Sequence, residues 1–200
     1  MVAWFYNSFR PLVNTAAGRV AVTRFGLPPF IDGSCRREPD FEAAVPSISG
    51  LCRKGKFAPR LHVGDTAIYV TTKGDWGRRL VAVLRVRERF ESHSEAAEWY
   101  RELGLPLPSN CWVDGNPPIP YERTAQDADE RIWDIDYKRR SRNYPVFLAT
   151  DPLFCKLHDP PRVTDDILIE AFGRVPGTQN PPQVHEGQAL RLLELMRVEL

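Results

Sequence analysis

No window of this chain approaches the ~18 consecutive apolar residues that a membrane-spanning helix needs. The N-terminal stretch MVAWFYNSFRPLVN has no basic segment followed by an apolar run, so no signal peptide is expected either. Charge of one sign is not in excess: the formal net charge is +1 over 200 residues. That is not the bulk signature of a strongly basic nucleic-acid binder, so any basic surface must be local. Cysteine is sparse. Cys35, Cys52, Cys111 and Cys155 form no CxxC pair, which argues against a zinc knuckle. They read as reduced, partly buried thiols of a cytoplasmic protein. His62, His93, His158 and His185 have no metal-ligand spacing among them. There is no GxGxxG after a strand, no GxxxxGK[ST], no HExxH and no GxSxG. No cofactor and no metal are therefore expected. A nucleophilic pair of Cys35 or Cys111 with a histidine has only the arginines beside Cys35 to lower a thiol pKa.

What the chain does have is proline, 18 residues spread along its length, together with an apolar fraction of 42%. Spread prolines predict long ordered loops rather than one disordered tail. The apolar fraction is enough for a core, and the length suits one domain, 1–200, with a helical extension over about 160–200.

The stretch HVGDTAIYVTTKGDWGRRLVAVLRV carries the clearest pattern. Asp65 opens a β-branched and aromatic strand, KGDWG supplies a turn with Gly74 and Gly77, and a long strand follows. Leu80, Ala82, Leu84 and Val86 should share one face, with Val81 and Val83 opposite. GRVAVTRFG, residues 18–26, also alternates and predicts a first strand. Phe41 to Val45 predicts a short helix ended by Pro46, and Ile48 to Cys52 another helical turn. SHSEAAEWYRELG predicts a helix capped by Ser92 or Ser94, anchored by Trp99, Tyr100 and Leu103 and ended by Gly104. Residues 105–146 read mostly as loop, and YPVFLAT as a short strand. TDDILIEAF predicts a helix capped by Thr164. EGQALRLLELMRVEL predicts a last helix with Leu190, Leu193, Met196 or Arg197, and Leu200 buried. The sum is an α+β fold: a small curved antiparallel sheet or open β-barrel with flanking helices.

Four groups of residues can carry recognition or chemistry. In DGSCRREPDFE, the forked donors of Arg36 and Arg37 suit phosphate or a base edge. Glu38 and Asp40 are the candidate acid and base if the protein is an enzyme. The plainer reading is a self-neutralising surface loop. KRRSR, residues 138–142, contains Arg139 and has Trp133, Tyr137 and Tyr144 around it, which suits stacking on bases and contact with phosphates. The alternative is a solvated loop with its aromatics tucked inward. Trp76 at a turn tip either caps an apolar cluster or stacks on a ligand ring, with Lys73 beside it for phosphate. Asn110, Gln179 and Asn180 sit in proline-held loops, where an amide can read a base edge or satisfy the loop's own backbone.

The hairpin resembles that of the PUA-like superfamily, which includes the ASCH, EVE and YTH domains. The matching features are Gly64 and Asp65, the strand Ile68 to Thr71, and Val81 to Val86, followed by a compatible helix over His93 to Tyr100. Cys52 and Arg53 ahead of Gly64 and Asp65 also resemble the order found in phage and bacterial nucleotide-modification-associated domains. The resemblance implies an open barrel whose cleft takes a nucleotide or flipped base. The expected function is then a nucleic-acid-binding module for a modified or flipped base, its partner DNA or RNA, plain or base-modified, with no membrane. Arg36, Arg37, Lys73 and Arg139 are expected to meet phosphates, Trp76 to stack, and Asp32, Asn110 and Asn180 to read the base. The alternative is an enzyme modifying or hydrolysing a nucleotide or base with the 36–42 loop. A third reading is a protein-interaction domain.

Overall fold

The structure is a computed structural model that describes residues 2–51, 55–126, 129–178 and 180–200. Cys52, Arg53 and Gln179 lie outside the described residues. Among the described residues the fold is α+β: an open seven-stranded sheet with five α-helices. In chain order the strands are β1 (Trp4–Phe9), β2 (Ser47–Ser49), β3 (Thr66–Thr71), β4 (Arg78–Phe90), β5 (Phe147–Cys155), β6 (Arg162–Val163) and β7 (Gln183–Val184). The helices are α1 (Ala16–Phe25), α2 (His93–Glu102), α3 (Glu130–Asn143), α4 (Asp165–Phe172) and α5 (Glu186–Leu195). The sheet order is β2-β5-β4-β3-β1-β7, with β6 paired to β4 beside it. The sheet is mixed, not purely antiparallel: β1 runs parallel to β3, with Tyr6 opposite Ile68.

The first strand is β1, and every one of its six residues is buried. One face of the sheet places Phe5, Phe9, Ala67, Tyr69 and Leu84 in a core with Phe30, Phe41 and Phe57. The other places Trp4, Tyr6, Ile68, Val70 and Val83 against Leu168 of α4 and Leu192 and Leu193 of α5. With both faces covered, these strands show near-continuous apolar character rather than alternation. The β3–β4 hairpin forms as its sequence predicts, but the register shifts between Tyr69 and Val70. Two β4 residues then oppose one on β3, a bulge. Leu80 is thereby moved to the Val83 face, while Val81 and Ala82 both join the Phe-rich core.

The segment 18–26 is a helix, not a strand. Thr15 caps it, its hydroxyl accepting from the Gly18 amide at 2.9 Å, and Gly26 ends it at φ 64°. The helix sits so close to the preceding turn that a Cβ on Gly18 would lie 1.7 Å from the Leu12 carbonyl oxygen. Residues 42–45 form bends instead of a helix, and Ser47–Ser49 pair with β5 instead of making a helical turn. Within the stretch expected to be loop lies α3, whose dense charge hides any apolar stripe. The Ser92 hydroxyl caps α2 and the Thr164 hydroxyl caps α4, as expected. In α2, Tyr100 is buried but Leu103 is exposed. In α5 the buried residues are Ala189, Leu192 and Leu193, while Leu190 and Leu200 are exposed. Residues 162–163 and 183–184 are sheet strands, so the chain end is woven into the sheet through β4 and β1.

Candidate nucleic-acid interface

The Arg36–Glu42 loop folds inward. Arg36 is 1% exposed and forms a fork with Asp134 of α3, Nε to Oδ1 at 2.7 Å and Nη2 to Oδ2 at 3.1 Å. Its Nη1 donates to the Ser109 carbonyl at 3.0 Å. Arg37, 2% exposed, donates to the carbonyls of Asp32, Ser34 and Arg123 and to the Glu42 carboxylate. These guanidiniums tie the loop to α3 and to the 121–123 turn, and their donors are spent on the protein itself. Among the described residues neither presents a fork to phosphate.

The loop's acids are equally committed. Glu38 accepts from the Ser49 amide at 2.9 Å, from the Ser49 hydroxyl and from the Asn110 amide at 3.1 Å. Burial raises its pKa to about 8, against those hydrogen bonds, so it is protonated at neutral pH. Asp40 accepts from the backbone of Glu42 and Ala43 and from the Ser109 amide and hydroxyl, both at 2.7 Å. Asn110 is fully buried, its Oδ1 accepting from the Ser47 hydroxyl at 2.7 Å. Asp32 accepts from the amide and hydroxyl of Ser34, and burial raises its pKa. The structure thus brings six expected site residues together as one polar network, five of them buried and Asp32 half-buried at a small hollow with Arg10 and Gln126. Burial also pushes the Cys35 and Cys111 thiols up to about 12, so neither is a thiolate at neutral pH.

Lys73 and Trp76 sit elsewhere, on the β3–β4 turn. Gly77 closes that turn at φ 70°, its amide donating to the Gly74 carbonyl at 2.9 Å. Trp76 is 45% exposed. It stands at the edge of a cleft of about 480 Å³ between α1, the turn and the segment after β5. Phe30, Val13 and Val22 give the cleft apolar walls, and Arg19, Arg79, His158 and Asp159 give it polar ones. The Arg79 guanidinium lies over the Phe30 ring at 5.5 Å and donates to the Pro160 carbonyl at 3.0 Å. Lys73 pairs with Asp165 at 3.0 Å on the surface. Arg139 is on the exposed face of α3, paired with Asp136 at 2.5 Å, and Asn180 borders a separate shallow hollow with Arg174 and Thr178. The two arginine clusters therefore do not form one surface: the first is inside, bonded to the helix that carries the second.

Sequence reading missed Arg19, Phe30, Arg79 and His158. Arg19 falls within the segment 18–26 that predicts a strand and Arg79 within the long strand after the turn, so neither carries a binding signal of its own in the sequence. The Trp at the turn tip was the usable signal, since an exposed indole beside a glycine turn needs a neighbour. Among the described residues no cluster of three or more His, Cys, Asp or Glu side chains could hold a metal ion, and no helix is long and apolar enough to cross a membrane.

No family model matches this chain, and no curated protein matches it. Among solved structures it is similar to a ZmASCH mutant protein from Zymomonas mobilis, with 11% identity over 96% of this chain and 95% of that one and a TM-score of 0.41. A likeness of that degree transfers neither residues nor activity.

Proposed function

We propose that this protein is a nucleic-acid-binding module that takes a base into the cleft beside Trp76. The observation that carries the reading is the pairing of an exposed indole with an apolar cleft edged by two arginines. A volume of about 480 Å³ lies within the range of small-ligand sites. Stacking on Trp76 supplies sequence-tolerant affinity, and Arg19, Arg79 and Lys73 meet the backbone. A base reaches such a cleft only from a single strand or when extruded, and extrusion is least costly for a modified or unpaired base. The hairpin's resemblance to the PUA-like superfamily led to the same ligand class. The enzyme reading gains nothing from Glu38 and Asp40, which line none of these clefts and are hydrogen-bonded inward.

The test is fluorescence anisotropy on single- and double-stranded DNA and RNA, plain and base-modified, at two salt concentrations. Salt-sensitive binding is expected, with one modified or single-stranded member preferred. Trp76→Ala should weaken binding by ~1–3 kcal/mol, about 5- to 150-fold. Lys73→Ala should lower the salt slope by about 1. Binding that is indifferent to Trp76, or absent from every member at low salt, overturns the proposal.

A further inference from the structure

A second cleft, of about 510 Å³, opens at the other end of β3, where the chain turns through Gly64 at φ 92° into Asp65. Its construction repeats that of the first. A phenylalanine of the same core cluster, Phe5, forms its floor, as Phe30 does beside Trp76. An arginine lies over that ring: Arg60 over Phe5 at 5.1 Å, as Arg79 over Phe30 at 5.5 Å. In both, a proline carbonyl holds one end of the guanidinium, Pro181 for Arg60 at 2.8 Å and Pro160 for Arg79 at 3.0 Å. A guanidinium fixed in this way loses little freedom on binding, and the donors left over, after Arg79 also serves the Trp76 carbonyl at 3.2 Å and faces Asp159 at 3.6 Å, can meet an anion. The acid in the second cleft does not cancel it. Asp65 is buried, one oxygen accepting from the Ala3 amide at 2.7 Å and the other from the His62 amide at 2.9 Å. The rim is an exposed valine, Val63, 61% exposed, in the place that Trp76 takes at the first cleft.

We infer that this second cleft is a further nucleotide subsite, and that one single strand of nucleic acid engages both. The inference rests on the reading of the Trp76 cleft above. Both floors belong to the same core cluster, and the two clefts lie at opposite ends of β3. β3 has six residues. At ~3.3 Å per residue the clefts are then roughly 20 Å apart, a span of several nucleotides. Filling both sites from one strand makes the second event intramolecular.

The experiment measures affinity for single-stranded oligouridylates and oligothymidylates, from the mononucleotide to about a dozen nucleotides, within the site sizes of single-strand binders. Affinity should rise in a step, about 10-fold or more, at the length that first spans both clefts. Arg60→Ala and Val63→Glu should each remove the step while leaving mononucleotide binding at the Trp76 cleft unchanged. Val63 is exposed and, among the described residues, makes no hydrogen bond, so that variant tests the subsite even if Arg60→Ala disturbs the loop it anchors. Trp76→Ala should weaken binding at every length. A smooth rise with length, or a step that survives Arg60→Ala and Val63→Glu, overturns the second subsite and leaves the first reading standing. No mononucleotide or oligonucleotide binding at all overturns both.

Discussion

Arg37 shows what a guanidinium does that an ammonium cannot. Its donors diverge to three carbonyls and a carboxylate held on separate segments, 32–34, 42 and 123. A lysine carries its donors on one point and cannot span them, and each lost charged hydrogen bond leaves a part-buried carbonyl without its donor. Arg37→Lys should therefore destabilise the protein by ~2–3 kcal/mol in urea denaturation, with no change in the salt slope of oligonucleotide binding. The opposite result, unchanged stability with a lower salt slope, would restore Arg37 to a phosphate contact. In sequence the doublet of arginines beside three carboxylates reads equally as a binding loop or as a self-neutralised one. What decides is burial, and burial depends on α3 and on the Ser109 and Arg123 segments, far away in the chain. Trp76 is the reverse case. Its exposure follows from a local turn, so it was legible.

At the scale of elements, α3 depends on one contact more than on its own sequence. Its N-cap Asp129 accepts from the Arg131 amide at 2.9 Å, but within the described helix the one side chain that is nearly sealed from solvent is Ser141. Asp134 fastens it, accepting both the Arg36 fork and the Trp112 indole N–H at 3.1 Å. Removing one partner of such a pair leaves a buried charge uncompensated, on the order of 3–5 kcal/mol. Asp134→Ala should lose that much stability, and hydrogen exchange should quicken across Glu130–Asn143 before it does across β3 and β4. Uniform loss of protection would show instead that α3 is held by the rest of the fold. This is why a loop was expected there: a helix stabilised through a buried ion pair carries no apolar period to read. The helix α1 was misread for a related reason. Val20 and Val22 imitate strand alternation, while the deciding residues are small ones, Gly18 and Ala21, which let the helix approach the Leu12 turn. The β3–β4 hairpin and the capped helices α2 and α4 were legible because turn and cap chemistry is local.

For the whole molecule, two buried groups of opposite kind set the dependence of stability on pH. His93 is buried, its Nδ1 accepting from the Trp112 amide at 3.0 Å and its Nε2 without a partner among the described residues. Burial, helped by the Arg36 charge, lowers its pKa to about 4. The unfolded chain takes up that proton below the ordinary value of 6.5 and the native state does not, so stability falls as pH drops from about 6.5 towards 4. Glu38 works the other way. Its native pKa is about 8 against 4.5, so the unfolded chain ionises first and stability falls as pH rises from about 4.5 to 8. Burial raises Asp32 and Glu42 in the same direction. Exposed Asp129 and Asp165, held low by hydrogen bonds from Arg131 and from Lys73, add to the acid side, but solvent screening keeps their share small. Between about 4.5 and 6.5 the slopes of His93 and Glu38 cancel, each worth ~1.4 kcal/mol per pH unit. The expected profile is a plateau there, with stability declining on both sides. Denaturant titrations at a series of pH values would show it. Relative to the native chain, Glu38→Gln should add an upward slope of ~1.4 kcal/mol per pH unit between about 4.5 and 8, leaving only the part of the decline that Asp32 and Glu42 contribute. If the variant's profile instead parallels that of the native chain, Glu38 is ionised in the folded protein, and the inward network around Ser49 and Asn110 holds a carboxylate rather than an acid.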